Sequence, residues 1–291
     1  MDSDSLRIFC TVATELSVTH AATRLGRAPS NVTTRIQQLE ADLGTALFVR
    51  SGKRLTLSNS GVQFLDYARR MLALEDEARH VVSDGREGGT LRIGSMESSA
   101  ASRLPSLLAG YHARHSATRL ELSTGASRPL IEQVRTGRLD CAFVAPPPSL
   151  GDPSSIEALG LTATPAWRET LLLLLPASEA DVGEPRAVRT RSLAAFPQGC
   201  TYRGLAEALL GMAGSGEWRV QEMASYHAMI ACVAAGSCVT VLPESVLKLE
   251  RAAAGLKTLP AGHADTVLMW RQGYDVPAFQ RLRKQLAESI Q

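Results

Sequence analysis

The sequence is short of cysteine, of net charge and of long apolar runs, and each shortage excludes a class of protein. Five cysteines in 291 residues, scattered and without a C-x-x-C pair, cannot staple a disulfide scaffold. They fit a reducing, cytoplasmic setting. No stretch approaches the ~18 apolar residues of a membrane span. The opening MDSDSLRIF has neither the basic start nor the apolar core of a secretory signal, so no membrane partner is expected. There is no nucleophile elbow, no G-x-G-x-x-G and no phosphate loop, so no catalytic residue is assigned and the chain is not read as an enzyme. His112 and His115 share a helix face but have no further ligand nearby, so no metal site and no cofactor are expected. The net charge of only +2 weighs against nucleic acid, whose partners usually carry a basic footprint.

What is present changes that last reading. Apolar residues make up 45% of the chain, enough for two packed domains at this length. In residues 1–60, Leu6, Phe9 and Ala13 recur at helical spacing. Ser17 looks like the N-cap of a short helix carrying Ala21, Ala22 and Leu25, which Gly26 would end. A third helix is expected from Pro29, with Val32, Ile36, Leu39 and Leu43 on its buried face. Short helices, a glycine turn and a small-residue contact make a helix-turn-helix. Arg50-Ser-Gly-Lys-Arg54 before Leu-Thr-Leu reads as a hairpin with a basic tip, which adds a wing. From residue 18 to 60 there are six basic residues and two acidic ones, a local excess of +4. The positive charge is concentrated, not missing.

Ser58 would cap a long helix to about Ser83. Phe64, Ala68, Met71, Ala78 and Val82 form a heptad-like stripe interrupted by Glu75. This suggests a dimerisation rod, with packing on its own domain as the alternative. Residues 84–89 are a polar, glycine-rich hinge. Beyond it apolar strands alternate with helices, the pattern of a mainly parallel α/β sheet. Expected strands are Leu91–Ser95, Leu120–Ser123, Cys141–Val144, Leu171–Leu175, Trp218–Met223 and Val239–Leu242. Ala278–Ile290 is the expected closing helix.

The first sixty residues resemble the LysR-type transcriptional regulators. The resemblance is carried by Leu6-Arg-Ile-Phe9, Ser17 through Leu25, Ile36-Gln-Gln-Leu-Glu40, Leu43-Gly44, Ala46-Leu-Phe48 with Arg50, and Leu57 through Gly61. It continues more faintly through Gly94–Ser98, Gly137–Asp140 and Ala234–Pro243. The resemblance implies an α/β protein overall: an all-α winged helix-turn-helix and linker helix, then a two-lobed effector domain similar to periplasmic binding proteins. The expected boundaries are 1–60 for the DNA-binding domain, 61–87 for linker and hinge, and 88–291 for the effector domain. Lobe I would take about 90–163 and 267–291, and lobe II about 164–266. The implied partners are double-stranded DNA, a second copy paired through the linker helix, a tetramer of two such dimers, and RNA polymerase.

The recognition helix departs from the family's usual Ser-Gln-Pro-Ala-Leu-Ser-Arg: here it reads Ala28-Pro-Ser-Asn-Val-Thr-Thr34, with Arg35 one place late. The candidate DNA-binding residues are Val18 and Thr19 at a helix N-terminus, Pro29, Ser30, Asn31, Thr33, Thr34 and Arg35 on the recognition helix, and Arg50, Lys53 and Arg54 in the wing. Arg35 could grip a guanine, worth ~1–3 kcal/mol of discrimination.

Ligands of open α/β sheets bind at the carboxyl ends of strands. That selects Met96, Glu97, Ser98 and Ser99 after the first strand, Thr124 and Gly125 after the second, and Ala145 after the third. By family architecture, Gly199, Cys200, Thr201, Arg203 and Tyr226 face the same cleft from the second lobe. A small polar acid or amino-acid-like effector would suit these groups. Cys200 at a helix start leaves thiol redox sensing as an alternative. A small-molecule binder or thiol enzyme without DNA regulation is the rival class.

Overall fold

In a computed structural model the chain forms two compact units, one built on Met1–Ser83 and the other on Asp84–Arg135 with Leu139–Gln291. The structure describes residues 1–52, 54–82, 89–250, 253 and 255–290. Lys53 and hinge residues 84–88 lie outside the described residues.

The first unit runs α1 (Ser3–Glu15), α2 (Val18–Leu25), α3 (Pro29–Leu43), a hairpin of β1 (Phe48–Ser51) and β2 (Arg54–Leu57), and α4 (Asn59–Val82). Side chains that satisfy orphan N–H groups set the helix starts. Asp2 accepts from Ser5 N–H at 2.7 Å and Ser17 from His20 N–H at 3.3 Å. Ala28 offers no such cap, yet α3 still begins at Pro29, where a proline has no N–H to satisfy and a helical φ already set. Gly26 (φ 63°) and Gly44 (φ 66°) end α2 and α3 in the left-handed region. Ala21 and Ala22, both buried, let α2 approach its neighbours. Phe9 anchors the core, its ring 5.4 Å from Phe48 and 5.2 Å from Phe64. The Glu40 carboxylate accepts from the N–H groups of Leu47 and Phe48 at 2.7 and 3.1 Å, which fixes where the wing leaves α3.

Two expectations need correction. Leu43 is exposed, because the buried face of α3 ends at Leu39. The first part of the stripe assigned to pairing also points inward, while its last two members, Ala78 and Val82, are exposed. Ala68 is fully buried, and Phe64 and Met71 rest on the same core. The outward apolar residues of α4 are Val62, Tyr67, Leu74, Val81 and Val82, of which Tyr67, Leu74 and Val81 are spaced by seven. The helix carries two apolar stripes, and α1 takes one. Glu75, which seemed to interrupt the stripe, is held by Arg7 of α1 at 3.2 Å and by Arg79 at 2.8 Å.

The second unit contains β3 (Thr90–Ser95), α5 (Glu97–Ser102), α6 (Leu104–Arg114), β4 (Arg119–Thr124), α7 (Ser127–Arg135), β5 (Cys141–Val144), α8 (Pro153–Glu157) and β6 (Leu161–Leu175). It continues with β7 (Ser192–Ala195), α9 (Thr201–Leu209), β8 (Arg219–Glu222), α10 (Tyr226–Ala234), β9 (Thr240–Pro243), α11 (Glu244–Leu247), β10 (Lys257–Arg271) and α12 (Pro277–Ile290). The main sheet has the order β4-β3-β5-β10-β6-β9. Among the described residues of this sheet, β3 alone pairs in parallel, with β4 and β5, while β7 and β8 form a separate parallel pair. β10 is antiparallel to β5 and β6, and β6 to β9. The sheet is therefore mixed, not mainly parallel. The sequence reading shortened β6 and missed β10, whose first ten residues, KTLPAGHADT, have a proline, a glycine and no clean alternation.

These two fifteen-residue strands run together from one lobe into the other. Their register shifts between Thr266 and Val267, opposite Trp167 and Pro165, so Ala166 is an extra residue in β6. Such a bulge bends and twists a strand pair. On one side of it lies the core of Leu91, Ile93, Phe143, Leu268, Trp270 and Phe279. On the other lies that of Leu171, Leu173, Leu193, Val239 and Tyr202. Asp140, from the resemblance segment Gly137–Asp140, is buried and bonded to the N–H of Arg92 at 2.7 Å and to its guanidinium at 3.0 Å. Its role is to tie β3 to the approach to β5.

A methyl group on Gly61 would lie 2.0 Å from the Leu47 carbonyl oxygen. Gly61→Ala is expected to destabilise the first unit by about 1–3 kcal/mol, lowering its melting temperature. An unchanged melt would refute that packing.

Candidate nucleic-acid interface and ligand cleft

Helical phase decides which side of α3 is available. With Val32, Ile36 and Leu39 buried, Ser30, Asn31, Thr34, Gln37 and Gln38 are exposed. Pro29 is exposed at the helix start, and the Thr33 hydroxyl is spent on the Pro29 carbonyl at 3.0 Å. Gln37 and Gln38 were missed by the sequence reading, although the spacing Ser30–Thr34–Gln37–Gln38 follows one face. Glutamine can make a bidentate contact with adenine. At the head of α2, Val18 is half-buried and Thr19 exposed.

The expected role of Arg35 needs revision. One place late in a helix is a turn of about 100°, and it carries this side chain towards α1. Its guanidinium lies 3.3 Å from Asp4 and 3.5 Å from Asp2. Arg27, in the turn before α3, is gripped by both oxygens of Asp4 at 2.8 and 2.6 Å, and Arg24 pairs with Glu15 at 2.6 Å. The helix-turn-helix arginines are thus partly neutralised by the acids of α1. Arg50 and Arg54 in the wing are exposed and make no ion pair among the described residues. Lys53, the third wing candidate, lies outside them.

In the second unit a cavity of about 390 Å³ opens between the lobes, within the usual range for small-molecule sites. Of the expected residues, Met96, Glu97, Ser98, Thr124 and Gly125 line it from one lobe. Cys200 and Tyr226 line it from the other. The remaining expected residues hold the walls. The Thr201 hydroxyl donates to the Ala145 carbonyl at 2.6 Å, and the Gly199 carbonyl accepts from the Arg128 N–H at 3.1 Å, both joining the lobes. Ser99 is buried, and its carbonyl accepts from the Arg103 N–H at 3.0 Å. Arg203 does not line the cavity. Its guanidinium is held by Glu207 at 2.8 Å and Glu222 at 2.6 Å.

The sequence reading missed Phe196 and Tyr202 in the lining, which also holds Ser127 at the end of the segment that begins at Thr124. Among the described residues the Ser127 hydroxyl is buried there without a hydrogen-bond partner, and burying such a group unpaired costs about 1–3 kcal/mol. Ser98 lies loosely against the phenols of Tyr202 and Tyr226, and Tyr202 against Thr266, without well-formed hydrogen bonds. Burial pushes the Tyr202 phenol up to about 12, so it stays protonated and able to donate. Burial also raises the Cys200 thiol above its ordinary value, which disfavours thiolate redox chemistry. A further lobe-to-lobe tie lies behind Tyr202. The buried Glu169 carboxylate accepts from Arg103 at 2.7 Å and from Ser245 at 2.8 Å, and Ser245 in turn meets Ser102 at 3.2 Å.

Residues 3–62 match the model of the bacterial regulatory helix-turn-helix proteins of the lysR family, and residues 84–291 match the LysR substrate binding domain. The chain is 37% identical to the HTH-type transcriptional regulator YusT of Bacillus subtilis (strain 168), over 91% of this chain and 86% of the relative. It is 35% identical to the HTH-type transcriptional regulator GltR of the same organism, over 85% and 81%. Its fold is similar to that of CbnR, a LysR family transcriptional regulator (TM-score 0.68, 22% identity, all of both chains). It is also similar to full-length CbnR complexed with its target DNA (TM-score 0.66, 21% identity, 99% of this chain and 100% of the other).

Removing the acid that restrains two arginines should change how the first unit binds DNA. Asp4→Asn is expected to tighten binding at low salt and to steepen the salt dependence by about one unit of log K per log salt. Affinity titrations across a salt series check this, and an unchanged slope would show that Arg27 and Arg35 were already available.

Proposed function

The chain belongs to the LysR family, a DNA-binding transcriptional regulator with an effector-binding domain and not an enzyme, and from that premise we propose how its residues divide the work. The observation that carries the reading is the coexistence of an exposed polar helix face, on a helix-turn-helix, with an interlobe cavity lined by unpartnered or loosely held hydroxyls.

The exposed face of α3 enters the major groove, as the second helix of such motifs does. Ser30, Asn31, Thr34, Gln37 and Gln38 then reach base edges. Arg50, Lys53 and Arg54 meet phosphates beside it, and the N-terminus of α2 at Val18 and Thr19 takes another phosphate. Arg27 and Arg35 stay largely engaged by Asp4 and add little to these phosphate contacts. Phosphate contacts set affinity and salt dependence, whereas base contacts set sequence choice.

The second apolar stripe of α4 pairs with its copy in another chain. Tyr67, Leu74 and Val81 recur every seven residues, the period of a two-helix seam. Two such dimers assemble on one DNA as a tetramer, which multiplies a basic patch that is small in a single chain. A small-molecule effector binds between the lobes, satisfies the buried hydroxyls and shifts the balance between lobe arrangements. That change passes to the DNA-bound dimers and to contact with RNA polymerase in the cytoplasm.

Two experiments test this division. Thr34→Ala is expected to weaken binding to the DNA upstream of the chain's own gene and to relax preference at one base pair, by about 1–3 kcal/mol. A footprint and affinity unchanged in that variant would move the recognition surface elsewhere. Leu74→Glu is expected to dissociate the dimer in sedimentation equilibrium while leaving the fold of the first unit intact. A dimer that survives it would exclude the α4 stripe as the seam.

A further inference from the structure

The interlobe cavity leaves two kinds of group unmet, and they are complementary. Ser98 and Ser127 are 2% and 1% exposed, and among the described residues neither hydroxyl makes a well-formed hydrogen bond, Ser98 lying loosely against the phenols of Tyr202 and Tyr226. Ser127 can donate a hydrogen bond that nothing among the described residues accepts, and Ser98 can turn its loosely held hydroxyl from the Tyr202 and Tyr226 phenols to a ligand. Ser127 opens the nine-residue α7, so the positive end of that helix reinforces the demand for an acceptor of negative charge. The second kind is a carboxylate. Glu97 is the one charged side chain among the sixteen lining residues. It is half-buried and makes no ion pair among the described residues. Arg203, the cation expected in the cleft, is committed to Glu207 and Glu222. Arg128 is exposed and outside the lining.

The wall beside Glu97 is aromatic. Phe196 and Tyr226 both line the cavity and meet edge to face, with centroids 4.9 Å apart at 77°. Ring faces attract a cation more strongly as water is excluded. An unpaired carboxylate next to such rings selects for positive charge, and unpaired or loosely held buried hydroxyls at a helix start select for negative charge. A dianion would place its second charge near Glu97 with no cationic side chain to meet it. A plain monocarboxylate would leave Glu97 unmet.

We propose that the effector is a small zwitterion bearing a protonated amine, with its ammonium on Glu97 beside Phe196 and Tyr226 and its carboxylate on the hydroxyls of Ser98 and Ser127. The inference rests on the reading of this cavity as the effector site, and it makes Glu97 the residue that distinguishes an amino-acid-like effector from a simple acid. The cavity volume of about 390 Å³ lies at the small end of the range for small-molecule sites.

Three probes of one carbon skeleton separate the charges: norleucine carries both, pentylamine only the cation and hexanoate only the anion. Thermal melts and calorimetric titrations use the full chain. Norleucine is expected to bind tightest and hexanoate weakest. Glu97→Gln should weaken norleucine by about tenfold or more, one lost charge-assisted contact, with little change in the melting temperature of the unliganded protein. Ser98→Ala combined with Ser127→Ala should weaken norleucine while leaving pentylamine nearly unaffected. Hexanoate binding as well as norleucine, indifference to Glu97→Gln, or no binding by any of the three at millimolar concentration would each overturn the proposal. Ala126→Trp, which fills the cavity, tests the underlying reading separately. Norleucine binding that survives it places the ligand elsewhere and refutes the cleft itself, whatever the charge preference.

Discussion

The antiparallel pairing of β6 with β10 is the constraint on which the effector unit depends. Each strand is fifteen residues long and belongs to both lobes, so the lobes share one sheet and cannot be positioned independently. The pairing shifts register twice, between Pro260 and His263 of β10 and again between Thr266 and Val267, where Ala166 is extra in β6 and Pro165 can donate no ladder bond. A bulge there concentrates bending between the two cores. The cavity lies where the lobes face each other, and its volume follows from the angle that this one strand pair permits.

Short polar ties then set that angle. Thr201 reaches Ala145, Arg128 reaches Gly199, and the buried Glu169 binds Arg103 and Ser245. A buried carboxylate is stable only while paired, so the Glu169 tie resists opening of the lobes near the wall formed by Tyr202. Several residues first assigned to ligand contact do this mechanical work instead. Gly199, Thr201 and Ala145 join the walls, and Ser127, with the loosely held Ser98 and Tyr202, supplies the unsatisfied hydroxyls. A ligand that meets those groups adds the hydrogen bonds that the closed arrangement lacks, which is the differential affinity a regulatory response requires.

In the first unit the same logic appears on the surface. The acids of α1 restrain arginines of the helix-turn-helix, with Asp4 serving both Arg27 and Arg35. Exposed ion pairs contribute little stability. Their consequence is to lower the positive charge that would otherwise bind any DNA, so more of the discrimination is left to the polar face of α3. The linker helix α4 carries two apolar stripes. One closes the core beneath Phe9, and the other, through Tyr67, Leu74 and Val81, stays exposed.

The sequence by itself determined the local chemistry. The caps at Ser17 and Gly26, the start of α3 at Pro29, the strand Cys141–Val144 and the closing helix were legible because each depends on residues a few positions apart. So was the family, whose motifs are local and ungapped. Only the tertiary structure decided which partner each group meets. It turned Phe64, Ala68 and Met71 inward, gave Arg35 to Asp4 instead of to the open face, and spent Arg203 on two glutamates. It also revealed β10, whose polar, proline-containing first ten residues become a strand only because β6 lies beside them. Helix phase and capping are set by neighbours in the chain, whereas strand pairing, ion-pair choice and unmet hydroxyls are set by neighbours in space, which no spacing in the sequence encodes.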